Sequence, residues 1–403
     1  MEKRGQVTLF IILGIFILVA AGTAFYYKGE FLKDRLLSVT KAAVFPENVQ
    51  LLKDELSSCY LVTAQEGLIL LGRQGGYIYI SQGGTLVDYQ DTDEGLFFVN
   101  YNNLNVAYNV VPPALAIEPS LYSPFPYSSE IPEYPWRTFP YRTATSNAEV
   151  FEGFFGINHI PPLNSSGGPN SIQVQIESFI DNNIASCLDF NIFEKQGFSI
   201  EMQPSKTSVI IGSGDVSVAS KVPIIITNQA TKEFTELNKF STSLNIRLRD
   251  VYFFAKELIE NDIKNIKFDI GNINNSKDFI NIKLIENIFS NDDLIIITDE
   301  KSLISGKPSE YIFARRNRAP VLHYIRKTTL QFLQNYEIKK EDLLQNSQLK
   351  AEDPDEDKVE FTIKTLSGKS PPVTLDSPQI KFKVEASDGK LSDYQTITVN
   401  RID

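Results

Sequence analysis

The chain is poor in the residues that carry most metal and nucleophile chemistry. Its 403 residues include two cysteines, two histidines, two methionines and one tryptophan. A four-ligand zinc site would need both cysteines and both histidines together, and Cys59, Cys187, His159 and His323 do not have the spacing of one. The cysteine count also excludes a disulfide-stapled miniprotein, so apolar burial must hold the domains. Positive charge is in deficit. Against 50 Asp and Glu stand 39 Lys and Arg, a formal net charge of -11. A dedicated nucleic-acid binder, which needs a basic footprint, is thereby excluded. There is no His-Glu-x-x-His helix and no nucleophile elbow. The glycine-rich stretch Gly72-Arg73-Gln74-Gly75-Gly76 lacks the Lys-Ser/Thr ending of a phosphate loop and stops a helix instead.

One long run is both uncharged and rich in Ile, Leu, Phe and Val. From Val7 to Tyr27 no residue is charged. As a helix this span is about 31 Å long, close to the thickness of a bilayer's hydrocarbon core. Lys3 and Arg4 precede it, and Tyr26, Tyr27 and Lys28 form an aromatic and basic edge after it. The pattern predicts a cytoplasmic tail and transmembrane helix over 1–28, with everything beyond outside the cell. A cleaved secretory signal, cut among Ala20, Ala21, Gly22 and Ala24, is the alternative. Lys3-Arg4-Gly5-Gln6-Val7-Thr8 before the apolar run resembles the class III, pilin-like signal sequences of archaea. That resemblance implies cutting between Gly5 and Gln6, although Phe10 stands where the family carries an acidic residue.

Beyond the span, 22% charged and 42% hydrophobic residues describe a folded chain, long enough for two or three domains. The 27 Phe, 17 Tyr and 20 Pro fit strand-rich domains with long ordered connections. A juxtamembrane helix is expected over 29–46, then a helix from Pro46-Glu47 to about Leu71. Tyr77-Ile78-Tyr79-Ile80 reads as a short strand. Helices follow over 171–188 and 244–263, with strands at 197–202, 208–211, 216–226, 293–298 and 311–314 among others. Residues 47–316 thus read as an α+β ectodomain. Gly67 to Ile78 and Phe313 to Pro320 look like phrases of uncharacterised single-pass proteins of small-genome archaea.

From Asn317-Arg318-Ala319-Pro320 to Asp403 the pattern becomes all-strand. Asp353-Pro354-Asp355-Glu356-Asp357 precedes one alternating strand, and Ser387-Asp388-Gly389 precedes another. These phrases resemble those of cadherin-like, immunoglobulin-type modules. The resemblance implies a C-terminal all-β immunoglobulin-like sandwich over 317–403, with Glu356 where a Gly is common. Asp353, Asp355, Asp357 and Asp388 could supply oxygen ligands for calcium; the alternative is a solvated polar turn. Cys59 and Cys187 lie in helices of like pattern and are expected to form a disulfide. Closing a loop of roughly 130 residues, the bridge would contribute on the order of 4–5 kcal/mol by chain entropy alone.

These features together predict a non-enzymatic cell-envelope protein, structural or adhesive, anchored by one helix. Its partners would be membrane lipid and an envelope protein or glycan, with no nucleic acid and no cofactor other than calcium. The alternatives are a pilin-like filament or secretion-apparatus subunit, and a membrane-tethered envelope hydrolase.

Overall fold

The structure, a computed structural model, describes residues 47–86, 98–112, 155–323, 325, 328–347 and 349–402. It divides into residues up to Asp54 and a compact unit Glu55–Asp403. Helix α1 (Glu47–Arg73) begins in the first, where Gln50 donates to Asp54 one turn on at 2.8 Å. All other elements belong to the second.

Two sequence expectations about the N-terminus need correction. Val7–Tyr27, the processing pair Gly5 and Gln6, and the juxtamembrane helix lie outside the described residues. Among the described residues no helix is long and apolar enough to cross a membrane. The longest of them, α1, has 27 residues but carries Lys53, Asp54, Glu55 and Glu66 along its length. A single-pass membrane topology with a cytoplasmic N-terminus and an extracellular C-terminal region is therefore not what these residues form.

α1 stops at glycine, as its sequence requires. Gly75 and Gly76 take φ of +73° and +89°, and Gly76 N–H donates back to the Leu71 carbonyl at 2.8 Å. Tyr77-Ile78-Tyr79 then runs buried but is no strand. The Ile78 amide donates to the side chain of Gln175 at 2.7 Å, so an amide group stands where a neighbouring strand would be.

β1 (Phe98–Tyr101) and β2 (Leu104–Val111) form a hairpin whose turn residues, Asn102 and Asn103, have φ of 50° and 64°. β3 (Ile157–Asn158) adds to β2. α2 (Ile172–Cys187) is capped by Ser171, whose hydroxyl accepts from Val174 N–H. Its stripe Ile172, Ile176, Phe179, Ile180 and Ile184 is buried. α1 packs on it closely: a Cβ at Gly67 would lie 2.7 Å from the Phe179 ring. Cys59 of α1 and Cys187 at the end of α2 are bonded, with Cα atoms 5.8 Å apart.

After α3 (Asn191–Lys195), strands β4 (Phe198–Met202), β5 (Lys206–Ile211), β6 (Val216–Asn228) and β7 (Phe234–Leu244) make a four-stranded antiparallel sheet. β4 and β5 share one edge of β6, and β7 takes the other. α4 (Leu248–Lys264) follows, then β8 (Ile280–Phe289), β9 (Asp292–Ile304) and β10 (Lys307–Arg315). These complete a six-stranded sheet ordered β1-β2-β10-β9-β8, with β3 on β2 and only β10 and β2 parallel. Both faces of this sheet are covered. Val251, Phe254, Leu258 and Ile259 of α4 pack on Ile295, Ile297 and Phe313, while Val106, Tyr108, Leu294 and Ile312 form a core on the other face. A strand buried on two sides reads as a continuous apolar run, which is why Leu294-Ile295-Ile296-Ile297 does not alternate. Each fully buried aliphatic chain here contributes roughly 1.5–3 kcal/mol.

The C-terminal residues do not form the expected immunoglobulin-like sandwich. β11 (Val321–Leu322) pairs with β14 (Ala351–Glu352), and β13 (Glu337–Ile338) with β16 (Val373–Thr374), each a two-stranded ribbon. β12 (Thr329–Leu333), β15 (Glu360–Thr365), β17 (Gln379–Ser387) and β18 (Ser392–Ile402) make one four-stranded sheet ordered β12-β18-β17-β15. Where a second full sheet was expected stand the ribbons and helix α5 (Lys340–Ser347). Leu343 of α5 enters the same core as Ile363, Phe382, Val384, Ile397 and Val399. The motif-bearing strands are real; the facing sheet is fragmented and does not close over them.

Candidate functional site

Where β10 ends, the chain buries two arginines. Arg315 is the last residue of β10, and Arg318 follows a short connection. Arg315 Nη1 donates to Asp262 Oδ1 at 2.9 Å, and its Nη2 to Asp293 Oδ2 at 2.6 Å. Arg318 Nη2 donates to Asp355 Oδ1 at 2.7 Å and lies 3.0 Å from Asp262 Oδ2. Its backbone N–H donates to Asp355 Oδ2 at 2.6 Å, and Nη1 reaches the Phe155 carbonyl at 3.2 Å. One charge cluster thereby joins α4, β9, β10 and the acidic turn of the C-terminal region. Burial pulls both guanidinium groups down, but the surrounding carboxylates outweigh it and hold them above their ordinary value. Asp293 is raised, because burial outweighs the Arg315 charge.

Asp292, next to Asp293, anchors the same connection. It accepts from the Tyr108 hydroxyl at 2.6 Å and from Asn317 N–H at 2.8 Å. Burial raises its pKa, and burial with the hydrogen bond to Asp292 raises that of Tyr108.

The four carboxylates singled out for calcium meet at this junction, though not as one ligand set. Asp355 is taken up by the arginines. Asp353 Oδ1 accepts the N–H groups of Asp355 at 2.8 Å and of Asp357 at 3.3 Å, which shapes the turn. Asp357 Oδ2 accepts from Asn291 Nδ2 at 3.2 Å. Asp388 Oδ2 accepts from Asn317 Nδ2 at 2.9 Å, and its Oδ1 takes the N–H groups of Lys390 and Leu391. Among the described residues no three His, Cys, Asp or Glu side chains are grouped to hold a metal ion.

Three buried oxygens here have no hydrogen-bond partner: Asp262 Oδ2 still has its ion pair with Arg318, and the other two stand apart. Asp353 Oδ2 and Asn317 Oδ1 are buried with no hydrogen-bond partner, on residues only 7% and 5% exposed. A buried acceptor with no donor is costly. Burial, with the neighbouring charges of Asp355 and Asp357, pushes the Asp353 carboxyl up to about 8. Asp357 is pushed up to about 6 by burial, then by Asp355, Asp293 and Asp388.

Arg315, Arg318, Asp262, Asp293, Asn291 and Asn317 escaped sequence reasoning as site residues. A signal existed in Ala314-Arg315-Arg316-Asn317-Arg318 and Asn291-Asp292-Asp293: clustered charge at the end and at the start of two buried apolar strands. The histidines take no part. His159 is lowered by burial, and His323 lies 3.6 Å from Glu352.

No family model matches this sequence, and no curated protein does. The resemblances to archaeal single-pass proteins, to pilin-like signals and to cadherin-like modules thus gain no support from homology. With no helix among the described residues long and apolar enough to cross a membrane, the helix-anchored envelope role and the membrane-lipid partner also lack support.

Proposed function

We propose that the junction binds one hard divalent cation of the calcium class, and that the cation stiffens the hold of residues 317–403 on residues 55–316 of the same compact unit. The observation behind it is the two buried acceptors, Asp353 Oδ2 and Asn317 Oδ1, beside carboxylates that burial first and neighbouring carboxylates second make harder to ionise. A dication relieves both faults at once, since it satisfies oxygen lone pairs and favours the charged carboxylates. The donors present are all oxygen, which suits calcium and not a soft metal. Asp353 Oδ2 and Asn317 Oδ1 would be the side-chain ligands, with backbone carbonyls and water completing the shell and Asp357 and Asp388 contributing only their charge. Asp355 would take part through the turn, its carboxylate staying with Arg318. Because the arginines already neutralise much of the local charge, the expected affinity is weak, on the order of 10⁻⁴–10⁻³ M.

Calorimetric titration of the full chain with calcium, at pH 8 after chelation, tests this directly. Binding should be lost in Asn317→Ala and in Asp353→Asn. Absence of heat together with an unchanged melting temperature at 10-fold the expected dissociation constant (about 10 mM) would refute it.

A further inference from the structure

A cleft of about 230 Å³ opens beside the turn from β9 to β10. Its walls are the end of α1, the start of α4 and that turn. The backbone explains the hollow. Pairing of β10 with β9 jumps from Pro308↔Leu303 to Ser309↔Asp299, so Glu300, Lys301 and Ser302 have no partners on β10 and bulge. Ser302 is held instead by Arg247, whose N–H donates to its hydroxyl at 2.8 Å. Opposite, Gly72 brings the α1 backbone against β10: a Cβ there would lie 2.2 Å from the Glu310 carbonyl oxygen. The space lies between these two irregularities.

The floor is apolar and buried, formed by Leu68, Leu248, Val251, Ile304 and Tyr311. The rim is charged and unbalanced. Arg73 pairs with Glu310 at 3.1 Å, while Lys307 is exposed and has no ion-pair partner among the described residues. A 150 Å³ apolar cavity already accepts benzene, and drug-sized ligands need about 300 Å³ or more. The size therefore fits one ring or one short alkyl chain.

We propose that this cleft binds a small carboxylate with a single apolar tail, the tail on the floor and the carboxylate between Arg73 and Lys307. Octanoate is the probe, and 1-octanol, with the same tail and no charge, is its comparison. Calorimetry on the full chain should show octanoate binding about tenfold tighter, the effect of two exposed charge contacts. The double variant Arg73→Gln, Lys307→Gln should remove that difference and leave octanol unchanged. Ile69→Trp, which fills the cleft from a half-buried wall, should abolish binding of both. Melting curves taken first establish that each variant is folded. Equal affinity for octanoate and octanol, binding that survives Ile69→Trp, or no binding of octanoate would each overturn the proposal.

Discussion

The charged junction has two halves that solve the same problem in opposite ways. On the arginine side, Asp262, Asp293 and Asp355 each have a guanidinium nitrogen within 2.6–3.0 Å. On the side of the acidic turn, Asp353 and Asn317 bury oxygens that meet no donor, and Asp353 and Asp357 resist ionisation. The halves share Asp355 and its turn. The difference separates carboxylates that meet a cation built into the chain from carboxylates that, on the function proposed, would take one from solution. A buried carboxylate next to a fixed guanidinium is a finished structural contact. A buried carboxylate next to other carboxylates is a site in want of a partner.

The largest effect should come from breaking the finished half. Arg318→Met removes one of the two arginine partners of Asp355 and of Asp262, leaving each with Arg315 and both carboxylates buried. Loss of one member of such a network typically costs about 3–5 kcal/mol. Urea denaturation should show a drop of that size in unfolding free energy. A loss below about 1 kcal/mol would mean that the arginines are not the clamp, and the contrast between the halves would collapse.

A smaller effect, of opposite sign, is expected at Asp353. Its carboxyl titrates near 8 when folded and near 3.8 otherwise. Between those values the folded state binds more protons than the unfolded state. The group's contribution to stability is therefore full below pH 4 and is lost as pH rises through 8. Asp357, near 6, acts in the same direction over a narrower window. In chelator, the urea midpoint should fall between pH 5 and pH 8, and Asp353→Asn should flatten that fall and stabilise the protein at pH 8 by about 1–3 kcal/mol. Calcium added at pH 8 should restore the wild-type midpoint and leave the variant unmoved. A wild-type midpoint that rises steadily to pH 8 in chelator would contradict the assignment.

Apolar periodicity made much of the fold legible. α2 and α4 show their buried faces at three- and four-residue spacing, and β9 shows its double burial as an uninterrupted run. β7 was illegible because Phe234-Thr235-Glu236-Leu237-Asn238-Lys239 is mostly exposed and does not alternate cleanly. Tyr77-Ile78-Tyr79 misled in the other direction, since glutamine side chains take the Ile78 and Tyr79 N–H groups and the following turn, not a strand, takes their carbonyls. In the C-terminal region the turn phrases located β15 and β18 correctly, yet a phrase of a few residues says nothing about what faces the sheet. The site was half legible. Acidic residues clustered in sequence were visible, but the arginines that claim Asp355 come from about forty residues upstream, and Asp262 from farther still. Only the fold brings them together, and in a linear reading arginine belongs at the surface.

The smallest expected effect separates backbone from charge within the acidic turn. Glu356 is exposed and has φ of +67°, in the left-handed region that disfavours side chains. Glycine there relieves roughly 1–2 kcal/mol of conformational cost but adds about 0.5–1 kcal/mol of chain entropy to be lost on folding. The net expectation for Glu356→Gly is a gain of about 0.5–1 kcal/mol. The carboxyl of Glu356, exposed but partly desolvated at its inner side, is also raised, by that desolvation first and then by Asp269, so part of any gain comes from thinning the negative charge. Glu356→Gln removes the charge and keeps the side chain, and on an exposed residue it should add only a few tenths of a kcal/mol. The same loss of one negative charge on the arginine side, by Asp293→Asn, should instead destabilise, because it weakens a contact that is already paired. Measured together by urea denaturation at pH 8, the two charge-only variants should differ in sign. If Glu356→Gln and Asp293→Asn both destabilise, the acidic turn is as well compensated as the arginine cluster, and no cation is needed there.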